Sequence, residues 1–173
     1  IMAYLRKFHN HTAYTMVPTH LLKSELSQQG FANLQVVARG VDTALFNPAK
    51  RSSRLRAQWQ AQPDTLALLS AGRLAAEKNL DRVIRTYQAL RETTDNVRLV
   101  VAGDGPYLDE FKSRCPDAVF LGMCSHGTLA EVYASADVFL FPSLTETFGN
   151  VTLEALACGT PVLAFDCAAA SEW

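Results

Sequence analysis

Short, mainly apolar runs alternate with amphipathic stretches from about residue 66 onwards. Each run ends at a glycine, a proline or a polar residue, which predicts buried strands rather than helices. The stretches between the runs carry apolar residues at helical spacing, so a helix is predicted between successive strands. The predicted strands are Leu66–Ala71, Val97–Ala102, Ala118–Leu121, Val138–Phe141 and Pro161–Phe165.

This alternation predicts a doubly wound, Rossmann-like α/β domain. Strands that are apolar throughout are buried on both faces, and the amphipathic helices between them would cover both faces of a parallel sheet. In such folds ligands bind beyond the carboxyl ends of the strands. The loops expected to form a site are therefore Gly72–Lys78, Gly103–Pro106, Gly122–Gly127 and Ser143–Asn150.

The first sixty residues have a different pattern. Strands are predicted at Tyr14–Val17 and Leu34–Ala38, with a helix at His20–Gln29 between them. The following stretch is polar and contains an Asn-Pro pair and several arginines, which is typical of a linker. We therefore expect three parts: a remnant of an earlier domain (residues 1–38), a linker (residues 39–62) and a ligand-binding domain (residues 63–173).

Composition and charge exclude several classes of protein. With 49% apolar and 19% charged residues, the chain has the composition of a folded globular protein. A net charge of −1 argues against nucleic acid as a partner. No apolar run approaches the roughly 18 residues that would suggest a membrane span. The four cysteines form no C-x-x-C pair and no H-E-x-x-H motif occurs, so no metal site is expected. Reduced cysteines favour the cytoplasm.

The segment from Pro142 to Val162 carries most of the candidate chemistry. Glu146 and Glu154 stand eight positions apart, and Gly149 lies between them where a helix is predicted to begin. A glycine lets a ligand approach the backbone, and the free N–H groups of a helix start favour anionic ligands. A carboxylate such as Glu154 accepts hydrogen bonds from a sugar diol. Two solvated glutamates are the simpler alternative, but the segment as a whole favours a site.

Two further loops contain candidate ligand-binding residues. Arg73 and Lys78 lie just before a predicted helix start and would form a diphosphate clamp, unless Glu77 pairs with Lys78 in a solvated loop. The sequence Gly103-Asp104-Gly105-Pro106 is similar to the start of a dinucleotide fingerprint, but the third glycine is missing. An NAD-dependent oxidoreductase is therefore disfavoured, and this loop is either a tight turn or a ligand contact.

Together these segments resemble retaining glycosyltransferase family 4, the E-x7-E enzymes, whose GT-B fold has two facing Rossmann-like domains. The chain resembles the C-terminal, donor-binding domain. The wording R-G-V-D-T with E-T-F-G-N is similar to bacterial GDP-mannose-dependent α-mannosyltransferases and to sulfoquinovosyl or glycolipid transferases. The other matching motifs are G-R-L-A-A-E-K-N-L, V-A-G-D-G-P and A-S-A-D-V-F-L-F-P-S. Many relatives have glycine where this chain has Thr147, which leaves the identity of the sugar open.

The resemblance implies a role for each site residue. The catalytic residues would be Arg73 and Lys78, which hold the donor diphosphate and stabilise the leaving group, and Glu146 beside the donor sugar. Glu154 would bind the ribose hydroxyls. No metal or other cofactor is implied, because the cations and a helix dipole take that role. The implied donor-binding residues are Gly72, Gly103, Gly105, Met123, Phe148, Gly149, Asn150, Val151 and Glu154.

The resemblance also implies an activity for the whole protein. It would be a retaining transferase that moves a sugar, with mannose from GDP-mannose favoured, to a lipid or glycan acceptor. The alternatives are a UDP-sugar-dependent glycolipid or polysaccharide transferase and a non-catalytic nucleotide-binding module. Both chain ends look cut and most of the acceptor domain is missing, so we expect this chain to bind nucleotide but to transfer little or no sugar. The full-length protein is expected in the cytoplasm, with peripheral association at the inner face of the cell membrane.

Overall fold

A computed structural model describes residues 1–144 and 149–165. Among them, residues 1–40 belong to one compact unit, and residues 41–144 with 150–165 belong to a second. Within these described ranges, no helix is long and apolar enough to cross a membrane.

The first unit contains a short β-α-β motif. Its two strands pair in parallel, with Met16 opposite Gln35. The helix between them is capped by Thr19, whose hydroxyl accepts a hydrogen bond from the Leu22 backbone N–H. These three elements confirm the predicted order, whereas the first helix was not predicted; it has no capping side chain and buries none of its residues. The elements are α1 (Met2–His9), β1 (Thr15–Val17), α2 (His20–Gln28) and β2 (Leu34–Val36).

The second unit contains a parallel five-stranded sheet in the order β5-β4-β3-β6-β7. The predicted doubly wound fold is confirmed, and all five predicted strands are present. The strands are β3 (Leu66–Ala71), β4 (Val97–Ala102), β5 (Val119–Gly122), β6 (Val138–Phe141) and β7 (Val162–Ala164). The helices are α3 (Ser53–Gln58), α4 (Leu80–Thr93), α5 (Leu108–Arg114), α6 (His126–Ser135) and α7 (Asn150–Ala157), with 3₁₀ turns at Pro48–Lys50 and Ala76–Lys78.

Helices cover both faces of this sheet, which explains why its strands are apolar throughout. Successive side chains of a strand point to opposite faces. Ala67 and Leu69 of β3 therefore join a core with α6 and α7, whereas Leu68 joins a second core with α4 and α5. Because both faces are buried, a strand with one polar face would not fit here.

The predicted linker differs from what the structure shows. The segment from residue 41 onwards packs into the second unit, where Phe46 is 4% and Trp59 1% exposed. The arginines that suggested a solvated stretch are held by the domain, since Arg51 and Arg56 both contact Asp137 at 2.8 Å. Where the domains of the full-length protein begin and end stays a prediction.

Candidate functional site

The strand order of the second unit creates a crevice at one edge of the sheet. From β3 the chain proceeds to β4 on one side, and from β6 it proceeds to β7 on the other, although β3 and β6 are neighbours. Ligands of doubly wound folds bind at such a reversal, beyond the carboxyl ends of the strands. A small pocket lies at this point, and its lining includes Gly72, Arg73, Lys78, Phe141 and Pro142.

The two predicted cations lie in the loop after β3. Arg73 is 70% exposed in its side chain, and its Nη1 is 3.6 Å from the Glu77 carboxylate. The Lys78 ammonium lies 5.7 Å from the centre of the Phe141 ring. Exposed ion pairs contribute little free energy, so Arg73 can exchange Glu77 for a phosphate at small cost. The edge of the sheet therefore carries two cations that can reach an anionic ligand.

Asn79 has a different role from the one its position suggests. It precedes α4, but its side chain makes no capping hydrogen bond to that helix. Instead its amide nitrogen donates to the Pro142 carbonyl oxygen at 3.2 Å. Its backbone is left-handed, with φ of 52°, a conformation that asparagine tolerates better than most residues. Asn79 thus fastens the loop that carries Lys78 to the loop that follows β6.

The glycines after β4 allow two loops to pack backbone against backbone. The Leu74 N–H donates to the Asp104 carbonyl oxygen, and the Tyr107 N–H donates to the Leu74 carbonyl oxygen. A side-chain carbon on Gly103 would collide with the Gly72 carbonyl oxygen, and one on Gly105 would collide with that of Leu74. Close loop packing therefore accounts for both glycines, and their contact with a ligand stays a prediction.

Replacing Gly103 by alanine should destabilise the protein by about 1 to 3 kcal/mol. Its φ is 136° and the new carbon would meet the Gly72 carbonyl oxygen, so the loop that carries Arg73 must move. Gly72→Ala is the matched control, because Gly72 has a similar φ of 131° but no atom within 4 Å of an added carbon. Urea unfolding of both variants would measure the difference. Equal losses would contradict the steric explanation.

The loop after β5 joins the same edge. The Gly103 N–H donates to the Gly122 carbonyl oxygen at 2.8 Å, so three successive loops are connected by backbone hydrogen bonds. Met123 follows with 79% of its surface exposed. A large apolar side chain in this position is suited to contact a flat ring, and the predicted role of Met123 in donor binding stays open to test.

The second glutamate of the sequence motif lies on α7. This helix begins at Asn150, as predicted, directly after Gly149, whose φ is 73°. Val151 and Glu154 are partly buried. The predicted site residues Glu146 and Phe148 lie outside the described residues.

Glu154 has an environment that the sequence did not reveal. Partial burial raises the pKa of its carboxyl group, although the nearby His126 and the Tyr133 hydroxyl act in the opposite direction. His126 is the first residue of α6, and Tyr133 is fully buried on the same helix. The sequence predicts no role for Tyr133 in the site, because an aromatic residue at helical spacing is ordinarily a core residue. Only the packing of α6 beside α7 shows that it reaches a candidate site residue.

A comparison with protein-family models identifies the family of the chain. The model described as "Glycosyl transferases group 1" matches residues 52–173 of the chain. The chain belongs to this family. The resemblance inferred from the motifs is therefore confirmed, and the matched range includes all the predicted site residues of this glycosyltransferase chain.

Curated relatives of this glycosyltransferase chain extend well beyond it. A GDP-mannose-dependent alpha-mannosyltransferase of Mycobacterium tuberculosis is 39% identical over 165 residues, which cover 95% of this chain and 42% of the relative. A GDP-mannose-dependent alpha-(1-6)-phosphatidylinositol dimannoside mannosyltransferase of the same species is 38% identical and covers 89% and 41%. Sulfoquinovosyl transferase SQD2 of Arabidopsis thaliana is 33% identical and covers 92% and 32%. The chain thus spans about two fifths or less of these relatives.

Solved structures confirm the fold of the chain. HepE of Anabaena, crystallised with UDP and glucose, superimposes with a TM-score of 0.81 over 99% of this chain and 49% of HepE. The sequence identity is 22%, so this likeness shows the α/β fold alone. The sucrose-phosphate synthase of Thermosynechococcus elongatus has a TM-score of 0.77 at 22% identity, over 94% of this chain and 43% of the synthase.

Proposed function

We propose that this chain supplies the donor site of a retaining glycosyltransferase that moves mannose from GDP-mannose to a lipid or glycan acceptor. The observation that carries the proposal is the position of Arg73 and Lys78 at the strand reversal between β3 and β6. Cations at this point are placed to bind a diphosphate. The family membership makes a nucleotide sugar the natural ligand.

Leaving-group stabilisation is the chemistry that these residues can provide. When the bond between the sugar and the diphosphate breaks, negative charge develops on the diphosphate. Arg73 and Lys78 would stabilise this charge more strongly in the transition state than in the ground state. We propose that they do so without a metal or another cofactor, and that Glu154 binds the ribose hydroxyls of the donor.

We propose GDP-mannose as the donor because of the names that similar proteins carry. Two mycobacterial proteins at 38–39% identity are named as GDP-mannose-dependent mannosyltransferases. A second candidate is another sugar on UDP or a related nucleotide. The SQD2 relative and an alpha-monoglucosyldiacylglycerol synthase of Streptococcus pneumoniae, 35% identical over 75% of this chain and 32% of the synthase, carry names of other sugars.

The acceptor of the full-length protein is proposed to be a lipid. One relative is named for phosphatidylinositol dimannoside and another for a glucosylated diacylglycerol, and both of these compounds are membrane lipids. A water-soluble nucleotide sugar and a lipid acceptor meet at a membrane surface. We therefore propose that the full-length protein acts in the cytoplasm at the inner face of the membrane.

Calorimetric titration with GDP, UDP and NAD tests the donor site. GDP should bind more tightly than UDP, and NAD should not bind. The Glu154→Ala variant should weaken GDP binding by about tenfold, because it removes hydrogen bonds to a charged acceptor. Glu92→Ala is the control, since Glu92 is exposed near the C-terminal end of α4, whereas the loop that carries Lys78 precedes the N-terminal end of that helix. If UDP binds more tightly than GDP, the donor is a UDP-sugar rather than GDP-mannose, and the enzyme class is unchanged. Binding of NAD alone would contradict the proposal.

A further inference from the structure

Tyr133 has its ring fixed in the core of the second unit. The residue is 0% exposed. Its ring makes edge contacts with Phe46 and Phe139, whose ring centres lie 6.2 Å and 5.3 Å away. An aromatic ring held by two others has little rotational freedom in a densely packed core. The direction of the Tyr133 hydroxyl is therefore set by packing rather than by a polar partner.

That hydroxyl lacks a hydrogen bond of ordinary geometry to any of the described residues. A buried polar group without a partner costs free energy, so such groups in native proteins usually have a reason. The group beside it is the Glu154 carboxylate. Burial first, and the charge of Glu154 second, raise the pKa of Tyr133 well above its ordinary value. The Tyr133 hydroxyl therefore stays protonated and can donate a hydrogen bond.

The packing of α6 against α7 places the two groups together. The Thr160 hydroxyl donates to the Tyr133 carbonyl oxygen at 2.6 Å, and the Cys158 thiol contacts the Ala130 carbonyl oxygen at 3.6 Å. Cys158 directly follows α7, and its N–H donates to the Glu154 carbonyl oxygen at 3.1 Å, so the two residues lie one helical turn apart on the same side. The two helices are thus fixed at the end where Tyr133 meets Glu154.

We propose that Tyr133 is a positioning residue that donates a hydrogen bond to Glu154 and orients its carboxylate for the ribose diol of the donor. This inference rests on the proposed function, since it assumes that Glu154 binds ribose. An ionised carboxylate has about four acceptor positions. Tyr133 would occupy one of them on the protein side and leave the others for the two ribose hydroxyls. Because the Tyr133 ring is rigid, its hydroxyl would keep the Glu154 carboxylate in the rotamer that binds ribose. This lowers the entropic cost of ordering the carboxylate when the nucleotide binds.

The Tyr133→Phe variant tests the hydroxyl alone, because it keeps the ring and its contacts with Phe46 and Phe139. The probes are GDP and 2′,3′-dideoxy-GDP, which lacks both ribose hydroxyls. Calorimetry of the purified protein should show GDP binding weakened about tenfold by the substitution. Binding of the dideoxy analogue should change less than about twofold, because a carboxylate without a diol gains nothing from its orientation.

Tyr87→Phe is the matched control. Tyr87 is also buried, and its hydroxyl donates to the Asp117 carboxylate at 2.6 Å. Its removal should leave binding of both nucleotides unchanged. In a Glu154→Ala background, Tyr133→Phe should have no further effect on GDP binding, since the group that it orients is gone.

Two outcomes would overturn the inference in different ways. If Tyr133→Phe weakens GDP and the dideoxy analogue equally, or weakens neither, Tyr133 does not act through the ribose contact, although the proposed donor site stands. If the unmodified protein binds GDP and its dideoxy analogue equally well, Glu154 does not hold the diol and the proposed role of that residue fails first.

Discussion

Replacing Arg73 or Lys78 by alanine should lower kcat of the full-length enzyme on the order of 10²- to 10³-fold, since each removes charge stabilisation from the leaving diphosphate. KM for the donor should rise less than kcat falls, because the charge on the diphosphate is largest in the transition state. Steady-state kinetics with GDP-mannose at several concentrations would separate the two effects. A rise in KM alone would show that the cations bind the donor equally strongly in the ground state and in the transition state, which would contradict leaving-group stabilisation.

Arg85→Ala is a close control for this experiment. Arg85 is 68% exposed and pairs with an acid four residues away, Asp81, much as Arg73 pairs with Glu77. It lies on α4, away from the loop that carries Arg73. Its removal changes the net charge by the same amount and also removes an exposed ion pair, but it leaves the candidate site intact. The Arg85→Ala enzyme should therefore keep its kcat; an equal loss in this variant would show that general charge, not position, matters.

Replacing Asp137 by alanine should lower the free energy of unfolding by about 3 kcal/mol, since it leaves a buried charge without its partner. Arg56 is 7% exposed in its side chain and lies 2.8 Å from Asp137. The same carboxylate accepts a hydrogen bond from the Ala67 N–H at the start of β3. Urea denaturation monitored by circular dichroism would give the difference from the unmodified protein.

Two variants separate this buried pair from ordinary surface pairs. Arg51→Ala should cost less than about 1 kcal/mol, because Arg51 is 45% exposed. Asp95→Asn removes a carboxylate that is 98% exposed, and it should be nearly neutral. Similar losses in all three variants would contradict a special role for Asp137.

The contribution of Asp137 should depend on pH in a defined direction. Burial alone would raise its pKa, but the Ala67 N–H and the two arginines hold the pKa below its ordinary value. A group whose pKa is lowered by folding stabilises the protein above its unfolded pKa, about 3.9, and loses this contribution as the pH falls through the folded value. The difference between the Asp137→Ala variant and the unmodified protein should therefore shrink below about pH 4.

The repeated pattern of the second unit could be predicted because it is local. An apolar run such as Val138–Phe141 is short and ends at a proline, whereas a helix such as Leu80–Thr93 has apolar residues at helical spacing. The alternation of such segments permits few topologies. The sequence also predicts that Arg73 and Lys78 lie in the loop after β3, because loops after parallel strands meet at one edge of the sheet. The binding roles of these two residues and of Glu154 stay predictions. The sequence predicts a linker at residues 39–62, because it cannot show that Arg56 pairs with a residue 81 positions away.

The sequence by itself determined the class of the fold, the family and the loops that form the candidate site. Only the tertiary structure decided how these loops are held together: Asn79 bonds to Pro142 instead of capping α4, and Gly103 and Gly105 make room for neighbouring carbonyl groups. It alone placed the Tyr133 hydroxyl beside Glu154. The physical reason is that periodicity and turn residues act over a few positions, whereas these contacts join residues brought together by the packing of separate elements.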